Sequence, residues 1–177
     1  MSVRYHNFGG VIGWNLQKYF PMLSSDSYLK LQRSTRNKLQ KEYIDYFLST
    51  GEPPMPLVVN LETINRCNST CSFCTANKNA EKRPYKRMED SLFYSIIDQL
   101  AEWGYTGHLT LYGNNEPFLD TRIVEFHKYC REKLPHSFIF LSSNGLLLTV
   151  DKVKEIIPYV NQLIINNYCR DMKLHDN

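Results

Sequence analysis

The sequence predicts an α/β fold, a parallel sheet flanked by helices and preceded by a helical segment. From Leu57 onward, short apolar runs alternate with longer stretches of helical periodicity, the pattern of βα units around a parallel sheet. Ahead of that point, Glu52-Pro53-Pro54-Met55-Pro56 interrupts the chain with a segment that cannot be helix, because proline lacks the amide donor and clashes with the preceding turn. The composition, 42% hydrophobic and 22% charged, is that of a chain with a packed core. At 177 residues there is room for one domain of ordinary size with an appendage.

The elements follow in order. Ser24, Ser25 and Asp26 offer caps for a first helix, in which Leu29, Leu31, Leu39, Tyr43, Ile44, Phe47 and Leu48 recur at roughly helical spacing until Gly51 stops it. Residues 1–52 are therefore a helical extension and residues 53–177 the main domain. Strands are predicted near Leu57 to Glu62, His108 to Tyr112, Ser137 to Ser142 and Gln162 to Asn166, with helices from about Glu89 to Trp103, Asp120 to Leu134 and Thr149 to Ile157. Tyr112, Trp103 and the aromatic residues of the first helix read as core. Parallel strands joined by helices cross over right-handedly, which puts the working edge at the carboxyl ends of the strands.

Charge and targeting narrow the function. Lys and Arg (21) exceed Asp and Glu (18) by three, too few for a broad nucleic-acid-binding face. There is no apolar run of roughly eighteen residues for a membrane span, and the first residues show no basic stretch leading into a hydrophobic signal segment. A cytoplasmic protein without nucleic-acid or membrane partners is expected. Of five cysteines, Cys67, Cys71 and Cys74 crowd into one short segment, which suggests metal or redox chemistry and not a disulfide framework. The sequon Asn68-Ser69-Thr70 lies inside this cluster, in a chain read as unsecreted, and carries no weight.

The segment Cys67-Asn68-Ser69-Thr70-Cys71-Ser72-Phe73-Cys74 follows the first predicted strand. Three thiolates on so short a loop can converge on one face of an iron–sulfur cluster, leaving one iron without a protein ligand. Zinc is the other possibility, with a fourth ligand drawn from Cys130, Cys169 or a histidine. The Cys-x3-Cys-x2-Cys spacing, with an aromatic residue before the third cysteine, resembles the signature of the radical S-adenosylmethionine (SAM) superfamily. That resemblance implies a [4Fe–4S] cluster on Cys67, Cys71 and Cys74, SAM chelated by the open iron, and a 5′-deoxyadenosyl radical that abstracts hydrogen from a substrate. Phe73 then packs on the cluster or the adenine.

Two further strand ends fit the same family. Tyr112-Gly113-Asn114-Asn115-Glu116-Pro117 resembles its Gly-Gly-Glu-Pro motif, which implies that Gly113 and Glu116 receive the SAM amino group, although Asn114 and Asn115 replace part of the glycine pattern. Read without the family, the segment is a polar turn with a backbone-permissive glycine and an acidic acceptor. Ser142-Ser143-Asn144-Gly145 resembles the Ser-Asn-Gly element and makes Ser142 and Asn144 candidate contacts for the SAM carboxylate or ribose, against a plain Asn-Gly turn. Asn166, Asn167 and Arg170 follow the fourth strand, where related enzymes contact SAM or substrate. Arg66, Lys78, Lys82 and Arg83 read first as solvated charge, and second as a positive surface that balances the cluster or docks an electron donor.

The resemblance spans about Leu57 to Tyr168 and implies a partial (βα)6 barrel, of which four strands are counted before the sequence stops at Asn177. The motif order and the amino-terminal extension are most like the branch with a carboxyl-terminal SPASM or twitch domain, whose substrates include peptides. Its members take electrons from a donor such as flavodoxin or ferredoxin. The competing reading is a non-catalytic, truncated iron–sulfur or zinc-binding interaction domain, which would hold metal without cleaving SAM.

Overall fold

The computed structural model describes residues 25–69, 71, 74 and 83–166. The chain divides into two compact units, with the division between Met55 and Pro56.

The first unit is built on helix α1, Ser25–Thr50. Ion pairs one turn apart, Lys41 with Asp45 and Lys38 with Glu42, line its exposed surface. Gly51 ends it in the left-handed region at φ 74°, its amide donating to the Phe47 carbonyl at 2.8 Å. The Tyr43 hydroxyl donates to the carbonyls of Pro54 and Met55, so the proline segment folds back along the helix. Ile44, Tyr46, Phe47 and Leu48 are exposed, and the reading of the helix's aromatic residues as core is corrected for Tyr46 and Phe47. The apolar pattern here is too diffuse to form one buried stripe.

In the second unit, β1 (Val58–Asn60), α2 (Asp90–Glu102), β2 (His108–Thr110), α3 (Ile123–Lys133), β3 (Phe138–Ser143), α4 (Val150–Ile156) and β4 (Gln162–Ile165) follow in order. Single 3-10 turns at Pro117–Leu119 and Ile157–Tyr159 lie before α3 and after α4. All the strands are parallel and lie in sequence order, as in one arc of a barrel. Val59, Leu109 and Ile139 are in register on one face. Helices cover that face with Phe93, Ile97 and Leu100 from α2, Ile123, Phe126 and Cys130 from α3, and Ile156 from α4. The rings of Phe93 and Phe126 stack at 3.8 Å where α2 meets α3. Such burial contributes about 1.5–3 kcal/mol per large apolar side chain.

The other face carries Asn60, Thr110 and Phe140 in register, with the Thr110 hydroxyl donating to Asn60 Oδ1 at 2.6 Å. It is half-buried along β3, where buried and half-buried residues alternate as a period of two requires. Tyr112 packs here, edge-on to Phe140. Trp103, by contrast, is 60% exposed. It is the residue after α2, and Gly104 at φ 68° turns the chain away before the indole can reach the core. Among the described residues no helix is long and apolar enough to cross a membrane.

Candidate functional site

The site is assembled at the carboxyl ends of β1, β2 and β3. Beyond β1 the chain leaves the sheet and pairs with a later segment. Ile64 bridges Arg87 antiparallel, Asn65 N donates to Lys86 O at 3.1 Å, and Met88 N donates to Thr63 O at 2.9 Å. The Asn65 side chain adds bonds to Pro84 O and Lys86 N, and the Arg66 guanidinium reaches Arg83 O at 2.9 Å. Arg66 also lies over the ring of Tyr85. The residues on either side of the cysteine loop are thus clasped together. Arg66 is half-buried and structural, where the sequence suggested solvated charge.

Cys67, Cys71 and Cys74 are free and half-buried, and Cys74 N donates to Cys71 O at 3.1 Å. The Cys71 thiol is held above its ordinary pKa, first by burial and then by the negative charge that Cys67 and Cys74 would carry. Repulsion of that sign is what a cationic iron core would relieve. The donor set therefore fits a cluster that takes one thiolate on each of three irons. Structural zinc needs four ligands. Cys130 is buried in the core and His127 is enclosed in α3, so neither can complete a zinc site at the loop.

The ends of β2 and β3 are locked to each other. Glu116 is only 1% exposed. Its Oε1 accepts from Ser143 Oγ at 2.8 Å and Phe118 N at 3.2 Å, and its Oε2 accepts from Asn144 N at 2.8 Å. Burial holds its pKa above the ordinary carboxylate value, and these three donors offset only part of that rise. The acceptor expected to face SAM is instead buried and occupied by the chain's own donors. Ser142 Oγ accepts from Asn166 Nδ2 at 2.8 Å, which turns this hydroxyl toward the end of β4. Asn144 points its amide at the cysteine loop, 2.7 Å from Asn68 Oδ1, 3.0 Å from Ser69 Oγ and 3.9 Å from Cys67 Sγ. Gly113 donates to Asn115 Oδ1 at 2.8 Å and abuts Glu62, whose Cβ would lie 3.5 Å from a Cβ added at the glycine.

Glu62 was not singled out by the sequence as a site residue. Among the described residues its buried Oε1, beside Gly113, has no hydrogen-bond partner, while Oε2 lies 3.7 Å from Arg83 Nη1. Asn115 Nδ2 is likewise buried and unpaired. Orphaned acceptor and donor atoms beyond the ends of two neighbouring strands suit a ligand carrying both ammonium and carboxylate groups, as the methionyl part of SAM does. The available signal was positional: a carboxylate on the last residue of a predicted strand, just ahead of the cysteine loop. Phe73, Lys78, Lys82, Asn167 and Arg170 lie outside the described residues.

The described residues form a parallel α/β arc with three cysteines just beyond the carboxyl end of its first strand. Residues 61–166 match the Radical SAM superfamily, and the chain belongs to that family of enzymes, whose cofactors are a [4Fe–4S] cluster and SAM. Among curated proteins it is similar to the S-adenosyl-L-methionine-dependent 2-deoxy-scyllo-inosamine dehydrogenase of Niallia circulans, at 22% identity over 99 residues, 56% of this chain and 39% of the relative. Two solved structures share the fold. One is BtrN in complex with AdoMet and 2-DOIA, with a TM-score of 0.57, 19% identity, and coverage of 63% of this chain and 46% of that one. The other is selenomethionine BtrN in an open conformation, with a TM-score of 0.58, 19% identity, and coverage of 67% and 53%. The chain spans about half the length of these relatives or less.

Proposed function

We propose that this chain forms the cofactor-binding part of a radical SAM enzyme, with Cys67, Cys71 and Cys74 holding the cluster. The observation that carries the reading is the convergence of three strand ends on the cysteine loop, with unpaired polar atoms of Glu62 and Asn115 buried at the same edge. When bound, cluster and SAM supply an electron and a cleavable sulfonium, and so a radical able to abstract hydrogen. The chain's own contribution is binding and orientation. Glu62 Oε1 and the Gly113 turn receive the SAM amino group, Asn115 Nδ2 donates to its carboxylate, and Ser142 and Asn144 border the ribose side. Phe73 packs against the cofactors. Glu116 supports this edge from within: to receive the amino group itself it would have to give up donors from β3. A donor such as flavodoxin or ferredoxin delivers the electron, and the peptide class implied by the SPASM-type likeness is the substrate to try first.

The test is anaerobic reconstitution, an iron and sulfide count, and addition of SAM with a strong reductant. About four irons, a SAM-dependent change in the electron paramagnetic resonance (EPR) spectrum and release of 5′-deoxyadenosine are expected. Four irons with no cleavage would favour a non-catalytic cluster domain, and zinc without iron would overturn the reading. Cys71→Ala should lose the cluster, and full iron retention would sink the ligand assignment.

A further inference from the structure

A closed circuit of hydrogen bonds runs through the site, and its last link is a side-chain amide beside a cysteine sulfur. Arg66 O accepts from Glu116 N at 2.8 Å, and Glu116 Oε2 accepts from Asn144 N at 2.8 Å. The Asn144 amide then returns to the residues that follow Arg66, donating to Asn68 Oδ1 at 2.7 Å and Ser69 Oγ at 3.0 Å, with Cys67 Sγ beside it at 3.9 Å in a longer, shared contact. Its orientation is fixed from the other side. Asn144 Oδ1 accepts from Leu146 N at 2.9 Å, so Nδ2 must be the atom turned toward the loop. Gly145, in the left-handed region at φ 80°, and its amide bond to Ser143 Oγ at 3.0 Å hold this turn in shape.

We propose that Asn144 is a positioning residue for Cys67, anchored by Glu116, and that its amide tunes the cluster toward easier reduction. The proposal rests on the reading that Cys67 is an iron ligand. An N–H aimed at a ligating sulfur stabilises the more negative, reduced form of a cluster, so its loss lowers the reduction potential. Outer-shell groups of this kind also fix the direction of a ligand and thereby metal affinity. The Glu116 carboxylate acts through Asn144, whose backbone amide it holds, and among the described residues it has no bond to the cysteine loop.

The experiment is an EPR-monitored potentiometric titration of the anaerobically reconstituted chain without SAM, comparing wild type with Asn144→Asp and Asn144→Ser. Aspartate keeps an oxygen for the Leu146 amide and replaces the donor by a charge. Serine keeps a turn-forming oxygen and is too short to reach the loop. Iron counts and circular dichroism accompany each titration. We expect folded variants whose reduced-to-oxidised ratio at a fixed applied potential falls by up to about tenfold, equivalent to a midpoint lower by about 59 mV for one electron. Selective iron loss from a folded variant also supports positioning of the ligand. A wild-type midpoint in both variants at full iron content, or a raised one, overturns the proposal alone, whereas a wild-type chain that takes up no iron overturns it together with the cluster reading.

Discussion

His127 offers a test of the fold that needs no cofactor. It sits on α3 with no solvent exposure, its Nδ1 is 2.7 Å from Ile123 O, and Nε2 has no partner. A carbonyl only accepts, so Nδ1 carries the hydrogen and the ring is neutral. Burial pushes its pKa from 6.5 down to about 4, with the backbone bond opposing weakly. As pH falls through 6.5 the unfolded chain takes up a proton that the native ring refuses until about pH 4, so stability is complete above this window and is lost on acidification within it. At 1.36 kcal/mol per unit, the loss is about 2 kcal/mol at pH 5 and about 3 kcal/mol below pH 4. The perturbation is His127→Leu, which removes the titration and leaves a side chain of similar volume. Urea unfolding of the metal-free chain at about pH 7.5 and pH 5 measures both proteins, and the carboxylates that also titrate are common to the two. The wild type should lose about 2 kcal/mol more than the variant between these pH values. Equal losses would refute the neutral, buried imidazole.

Three other outcomes are expected. Gly145→Ala forces a Cβ into the left-handed region and to 2.8 Å from Ile165 Cγ2, so thermal unfolding should report a loss of at least about 1–2 kcal/mol, and an unchanged Tm would refute that backbone. Arg122→Ala strands Asp120, whose side chain is 1% exposed and bonded to the guanidinium at 2.7 Å and 2.9 Å. Denaturant titration should show about 3–5 kcal/mol of destabilisation, and a value below about 1 kcal/mol would mean the pair behaves as a surface one. Glu62→Gln should leave the iron count unchanged and weaken SAM binding about tenfold, or about 1.4 kcal/mol, by calorimetry; an unaltered Kd would remove Glu62 from the amino-group contact.

Strands and helices were legible because apolar residues repeat at periods the backbone imposes, and each predicted element of the second unit is present. The strands are shorter than their apolar runs. β1 stops at Asn60 because Thr63 to Arg66 pair with a segment twenty residues later, and local pattern cannot announce such a partner. The motif positions also lie at strand ends as read, but the motif did not tell which oxygen faces outward. That depends on the β2–β3 register, which brings Ser143 and Asn144 onto Glu116 across 27 and 28 residues of sequence. Trp103 was misread because residue type signals core only where the backbone points inward, and the turn at Gly104 decides otherwise. Glu62 went unnoticed because a lone carboxylate matches no spacing rule.

The clasp formed by Asn65 and Arg66 with residues 83–86 has a consequence for metal uptake. Arg66 and Arg83, which bracket the 16 positions from 67 to 82, are hydrogen-bonded to each other once the sheet has folded. Bringing such ends together costs a free chain about 2.5 kcal/mol of conformational entropy by the logarithmic closure law. Folding of the sheet meets that cost before any iron arrives. Cys67 is the residue next to that base, so the first thiolate is placed by the fold and not by the metal.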